Sequence, residues 1–188
     1  KYKLIIVNDG SKDKTLEYLK TLNVEVIDNK KNIGYEKSLL KGFDHVIKKY
    51  PKVNTIITFD ADGEHKTSDL KRTLNFFKRK KINFLICNRL NIIRFSEKII
   101  SFLFYCRFKI KDPLSGFKIY NTNFLKYHLK DIRYKYFLVD LAKKICSLDK
   151  NVFNYPIKCK VLKNRSARVG NNFVTNIKIL NILPLIIK

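Results

Sequence analysis

Short apolar runs alternate with longer amphipathic stretches through the first ninety residues, a pattern typical of strands and helices that follow one another along a chain. Runs rich in β-branched and aromatic residues predict strands at 4–7, 24–27, 55–59 and 84–87. Apolar residues at helical spacing predict helices at 14–21, 35–50 and 68–79. This βαβαβ order predicts an α/β fold with a doubly wound, mostly parallel sheet and helices on both faces.

The second half of the chain is less regular. It predicts a helix at 95–109, a turn at 112–117 leading into a strand at 117–120, a helix at 140–147 and one or two strands within 152–162. No repeat or linker marks a second domain, so residues 1–188 are expected to form a single domain. The apolar tail from residue 175 to 188 favours a helix packed on the core, with a membrane-proximal segment as the alternative.

Two carboxylates stand where the third predicted strand ends, in Asp60-Ala61-Asp62. Mg²⁺ and Mn²⁺ accept one or two protein carboxylates and complete their shell with water and phosphate oxygens. Ligands of parallel α/β sheets bind beyond the carboxyl ends of the strands, where Asp9 is also expected. A metal and diphosphate site is therefore one interpretation of this tripeptide, and a solvated turn is the other.

The strongly basic composition limits the kinds of partner that the chain is expected to bind. The chain has 40 Lys and Arg residues against 16 acids, a formal net charge of +24, which favours nucleic acid, an anionic membrane surface or phosphorylated substrates. The abundance of Lys, Asn and Ile indicates that compositional bias contributes to this charge. The four cysteines are scattered without metal-ligand spacing, which argues against a zinc site or a disulfide framework.

Four segments, in order, carry a family resemblance. They are Val-Asn-Asp-Gly-Ser-Lys-Asp at 7–13, Asn-Ile-Gly with Ser38 and Gly42 at 32–42, Phe-Asp-Ala-Asp-Gly-Glu-His at 59–65, and Asp-Pro-Leu-Ser-Gly-Phe-Lys at 112–118. Together they resemble family 2 glycosyltransferases, especially the dolichyl-phosphate mannose synthase and polyprenyl-phosphate glycosyltransferase branch. The resemblance extends from residue 3 to about residue 170, and it implies a GT-A fold.

The resemblance also implies roles for individual residues. Nucleotide and donor contacts would come from Asp9, Gly34, Asp60, Arg89, Ser115, Gly116, Arg165 and Arg168. The metal, Mg²⁺ or Mn²⁺, would be held by Asp60, Asp62 and Glu64, and Asp112 and Asp140 are the candidates for a general base or a sugar contact. The chain departs from the branch at Glu64, which replaces a usual Gln, and at Asn171-Asn172, which replace a usual Ser-Lys. The family's first strand is expected to precede residue 1.

The implied reaction is metal-dependent, inverting transfer from a GDP- or UDP-linked sugar to an acceptor, either a lipid phosphate or a sugar. A polyprenyl or dolichyl phosphate is favoured, since the phosphate is already ionised and needs no base. The enzyme would work as a peripheral protein on the cytoplasmic face of a membrane. Two alternatives stay open: a degenerate transferase, and a basic nucleic-acid-binding module, which the acidic loop and the lack of a recognition motif disfavour.

Overall fold

The computed structural model describes residues 2–92, 94–130, 137–148, 151–160, 177, 180–181 and 183–187. The chain divides into two compact units, Lys1–Val53 and Asn54–Lys188, which are described separately below. None of the helices formed by these described residues is long and apolar enough to cross a membrane.

The first unit contains one parallel strand pair. Its elements are β1 (Ile5–Asn8), α1 (Thr15–Thr21), β2 (Glu25–Asp28) and α2 (Tyr35–Lys49). The strands pair in parallel with Ile5 opposite Glu25, and α1 makes the crossover that a parallel pair requires. Both strands end one residue later than the sequence pattern predicts, on polar side chains that open the loops described below.

Small residues on α2 allow the helix to lie close to β1. A Cβ atom added to Gly42 would approach Cγ2 of Val7 to 3.2 Å, a contact tighter than ordinary packing. One residue further on, Phe43 is almost fully buried. At Gly42, therefore, the small residue of the 32–42 motif serves close packing of the helix against the strand.

The second unit is larger and contains the remaining elements. They are β3 (Thr55–Thr58), α3 (Thr67–Arg79), β4 (Phe84–Arg89), α4 (Phe95–Phe108), β5 (Lys118–Asn121), α5 (Thr122–Leu129), α6 (Phe137–Leu148), β6 (Val152–Ile157) and α7 (Leu183–Ile187). The strands form one sheet in the order β3-β5-β4-β6. β4 and β6 are parallel, and β5 runs antiparallel to both β3 and β4. Three strands of this sheet therefore share a direction, and β5 is inserted between two of them in the opposite sense.

Both faces of this sheet are buried. On one face Leu85 and Cys87 of β4 pack with Phe77 of α3 in the hydrophobic core. Because successive strand residues point to opposite faces, Phe84 and Tyr120 lie on the other side, where their rings stack with centroids 5.0 Å apart. Helix α5 contacts β5, and α6 contacts both α4 and α5.

Two features of this unit differ from the sequence-based expectation. Helix α5 was not predicted, and α6 begins at Phe137 and not at residue 140, whereas β6 lies within the predicted range 152–162. Near the chain end, α7 buries Ile186, whose carbonyl accepts a hydrogen bond from the guanidinium of Arg107.

Candidate active site

An acidic loop follows β3 and is fixed by backbone hydrogen bonds. Asp62 accepts a hydrogen bond at 3.0 Å from the backbone N–H of Glu64 through Oδ1. The carbonyl of Glu64 accepts another from the N–H of Lys160 at 2.8 Å. The side chain of Asp60 is 31% exposed, so the loop presents this carboxylate to solvent without leaving it fully hydrated.

Gly116 provides the space that the Asp60 carboxylate occupies. A Cβ atom at position 116 would lie 1.9 Å from Oδ2 of Asp60 and 2.2 Å from its Cγ. The carbonyl of Gly116 accepts a hydrogen bond from Oγ1 of Thr58 at 2.8 Å, which holds this turn against the end of β3. Asp60 and Gly116, which belong to separate sequence motifs, are thus in direct contact. The absence of a side chain at Gly116 determines where the carboxylate of Asp60 lies.

Substitution of Gly116 by Ala is expected to displace Asp60 and to lower the free energy of unfolding by about 1–3 kcal/mol, the usual cost of overpacking. The backbone at Gly116 is not among the glycines with positive φ, so the steric clash alone is tested. Chemical denaturation of the variant measures the loss. In the Asp60→Ala background the further Gly116→Ala substitution should cost little, and an undiminished cost there would contradict the steric role of this contact.

His65 is a buried neighbour of this carboxylate that sequence reasoning gave no role. Its ring packs against those of Phe59 and Phe117, with centroids 5.3 and 5.6 Å away. Nε2 is 3.8 Å from Oδ2 of Asp60, and Nδ1 is 3.4 Å from Sγ of Cys159. Burial lowers the pKa of His65, but the interactions with Asp60 and Cys159 outweigh burial and raise it to about 9. The side chain is therefore a cation at neutral pH beside the acidic loop.

Arg89 and Asp112 form a buried ion pair. Oδ2 of Asp112 accepts hydrogen bonds from the backbone N–H and from Nε of Arg89, at 3.0 and 2.9 Å, and Oδ1 accepts one from Nη2 at 3.1 Å. Asp112 is fully buried, and the side chain of Arg89 is 18% exposed. Nη2 of Arg89 also donates to Glu97 at 3.0 Å. Burial lowers the pKa of Arg89, but the two carboxylates outweigh it and raise that pKa above its ordinary value.

Ser115 and Lys118 complete the turn after α4. Oγ of Ser115 donates to the carbonyl of Cys87 at 2.7 Å and accepts from the N–H of Phe117 at 3.3 Å. Nζ of Lys118 donates to the carbonyl of Ser115. Burial lowers the pKa of Lys118 to about 8, although the charges of Asp112 and Asp60 oppose this shift. Lys118 is 1% exposed and was missed, because a Lys at the start of a predicted strand gives no sign of burial.

In the first unit Asp9 organises the loop that leads into α2. Its Oδ1 accepts hydrogen bonds from the N–H of Ile33 at 2.9 Å and from Nδ2 of Asn29 at 3.2 Å, and its Oδ2 accepts one from the N–H of Gly34 at 3.0 Å. Burial raises the pKa of Asp9, but these hydrogen bonds outweigh it and lower the pKa below its ordinary value. Gly34 has a φ of 92°, a conformation that side chains disfavour.

The other predicted residues are placed as follows. Asp140 is half-buried in the first turn of α6. Arg165 and Arg168 lie outside the described residues. Of the residues within the second unit, the structure brings Asp60 against Gly116 and joins Arg89 to Asp112.

A cation at the acidic loop would have to be shared with a substrate. Within the described residues, no group of three or more His, Cys, Asp and Glu side chains could hold a metal ion by itself. Mg²⁺ and related ions commonly bind to one or two carboxylates and take their other oxygens from phosphates and water. Asp60, in its space beside Gly116, and the half-buried Asp62 are the two carboxylates that would take part in such binding.

The family pattern described as "Glycosyl transferase family 2" matches residues 1–146, and the chain belongs to this family. It is 29% identical over 195 residues to the uncharacterized protein MJ1222 of Methanocaldococcus jannaschii, a match that covers 94% of this chain and 77% of that protein. It is 34% identical over 82 residues to the putative glycosyltransferase CsbB of Bacillus subtilis. That match covers 41% of this chain and only 23% of the length of CsbB.

Solved structures share the fold. Glucosyl-3-phosphoglycerate synthase of Mycobacterium tuberculosis, in complex with Mn²⁺, UDP and phosphoglyceric acid, has a TM-score of 0.70 at 12% identity, covering 98% of this chain and 67% of that one. TarS of S. aureus has a TM-score of 0.57 at 17% identity, covering 98% of this chain and 56% of that one. The fold class is therefore the α/β GT-A class of glycosyltransferases, which confirms the implication of the sequence motifs.

Proposed function

We propose that this chain transfers a sugar from a GDP- or UDP-linked donor to a polyprenyl or dolichyl phosphate, with inversion at the anomeric carbon and with Mg²⁺ or Mn²⁺. The observation that carries the proposal is the carboxylate of Asp60, seated against Gly116 at the end of β3 in a chain of this family. The complex of the mycobacterial synthase with Mn²⁺ and UDP supports a nucleotide donor and a divalent cation.

Asp60 and Asp62 would hold the cation, and Glu64 would add a third carboxylate or a water-mediated contact. The cation, when bound, stabilises the negative charge that develops on the departing nucleoside diphosphate. Arg165 and Arg168 would bind the diphosphate through charge-assisted hydrogen bonds. Asp9 would bind the nucleoside, the role that its position in the motifs of this family implies.

The environment of Asp112 supports a phosphate acceptor. A general base must be able to take up a proton within reach of the acceptor. Asp112 is fully buried and accepts three hydrogen bonds from Arg89, so we assign it a scaffold role in the proposed reaction. An acceptor phosphate, whose second pKa is about 6, is ionised at neutral pH and requires only positioning. Asp140 then remains a candidate for a sugar contact.

A turnover assay tests this proposal. Release of nucleoside diphosphate is measured for GDP- and UDP-linked sugars with Mn²⁺, in the presence of a short-chain polyprenyl phosphate or of phosphoglycerate. We expect one donor to be consumed with the polyprenyl phosphate in solution, and the net charge of +24 favours a membrane surface as the place where the enzyme meets its full-length acceptor. Consumption with phosphoglycerate alone would overturn the lipid acceptor, and nucleotide binding without any turnover would indicate a degenerate transferase. Salt-sensitive duplex binding without a response to donors would indicate a nucleic-acid-binding module.

A further inference from the structure

Helix α4 exposes large aromatic side chains to solvent. Phe95 is 72% exposed, Phe102 65% and Tyr105 45%. Together with Lys98 they occupy positions i, i+3, i+7 and i+10, which share one face of a helix; these four residues are called the α4 surface below. The opposite side of the helix is anchored in the core by Ile100 and Phe104, which are fully buried. The aromatic residues are thus displayed by a well-packed helix.

The charges around this surface are positive. Glu97 is the one acidic residue of α4, and it is buried and bound by Arg89 and Arg94. The exposed charges on and after the helix are those of Lys98, Arg107 and Lys109, and Nζ of Lys109 lies 5.4 Å from the ring centre of Tyr105. Arg107 in addition donates to a carbonyl of α7. Lys98 therefore stands among the exposed aromatic residues of this face, and Lys109 lies beside Tyr105 where the helix ends.

We propose that the α4 surface docks on an anionic lipid bilayer. Aromatic rings favour the boundary between headgroups and acyl chains, and Lys and Arg beside them are attracted to anionic lipids. An anionic bilayer fits this surface because the surface is cationic, as is the whole chain. In addition, α4 exposes no carboxylate that would repel a lipid phosphate. It deepens the proposed function, since a lipid-linked acceptor lies in such a bilayer.

Cosedimentation with vesicles tests the surface without donor, acceptor or metal. Phosphatidylcholine vesicles are compared with vesicles that also contain phosphatidylglycerol. We expect binding to the anionic vesicles, weakened about tenfold or more by Phe95→Ser/Phe102→Ser, because both rings leave the bilayer boundary. Lys98→Gln should weaken binding about several-fold and reduce its sensitivity to salt. Tyr18→Ser, which removes a 65% exposed aromatic from α1, is the matched control and should leave binding unchanged.

Equal vesicle binding by the wild-type chain and Phe95→Ser/Phe102→Ser would overturn the proposal. So would a concentration-dependent dimer that these substitutions abolish, because the surface would then be an interface between copies of this chain. Failure of the proposed function can be distinguished from failure of the docking surface. Donor consumption with a short-chain polyprenyl phosphate in solution should be the same for Phe95→Ser/Phe102→Ser and for the wild-type chain. Absence of turnover in both, with vesicle binding lost only in the variant, would reject the lipid-phosphate transfer and retain the docking surface.

Discussion

The Arg89→Met variant should lose about 3–5 kcal/mol of the free energy of unfolding, because it leaves Asp112 charged, buried and without its ion-pair partner. Asp112 accepts three hydrogen bonds from Arg89, one of them from the backbone, and the substitution removes the two side-chain bonds. Glu97 also loses a donor. Chemical denaturation monitored by circular dichroism measures the loss.

An exposed ion pair provides the control. Lys48 donates to Asp44 at 2.8 Å with both side chains exposed, so Lys48→Met should cost less than about 1 kcal/mol. If Arg89→Met does not fold, the double variant Arg89→Met/Asp112→Leu should recover folding, since no charge is then left buried without its partner. A fully stable Arg89→Met protein that has lost donor binding would contradict the scaffold role and restore the predicted phosphate contact of Arg89.

The alternation of strands and helices through β4 could be predicted from the sequence because it depends on local periodicity. The direction of β5 could not, since its four residues carry no information about which neighbours they pair with. Helix α5 begins directly after β5, at Thr122, and no loop signal separates the two elements. Pairing and packing over long separations determine these features, and a single sequence does not display them.

The sequence motifs identified residues that belong to one region of the structure. They did not distinguish residues that hold the fold from residues proposed to contact a substrate. Asp112, Ser115 and Gly116 stand in one motif, yet Ser115 and Asp112 are buried and hydrogen-bonded within the protein, whereas Gly116 makes space for Asp60. Cys159 contacts His65 across 94 residues of sequence, a separation that no spacing rule could have suggested. The roles of Asp9, Asp62 and Glu64 toward a ligand remain predictions.

Loss of metal-dependent nucleotide binding is the expected result of the Asp62→Ala substitution. Removal of this carboxylate takes away one of the three carboxylates proposed for the cation, leaving Asp60 and Glu64, and also removes the hydrogen bond that orders the backbone at Glu64. Mutation of residues that support the ligands of a metal site commonly lowers the metal affinity 10–100-fold. Loss of a ligand itself should lower that affinity about 100-fold or more. Asp44→Ala removes an exposed carboxylate of α2 that pairs with Lys48, and this control should bind nucleotide normally.

The most direct test of a metal-dependent nucleotide-sugar transferase is calorimetric titration of UDP and GDP into the chain, with and without Mn²⁺. We expect Mn²⁺ to strengthen the binding of at least one nucleotide to the wild-type chain and to Asp44→Ala, and Asp62→Ala to lose this effect. Nucleotide binding that is the same with and without Mn²⁺, or an Asp62→Ala variant that responds to Mn²⁺ like the wild-type chain, would contradict the proposed metal-dependent transferase.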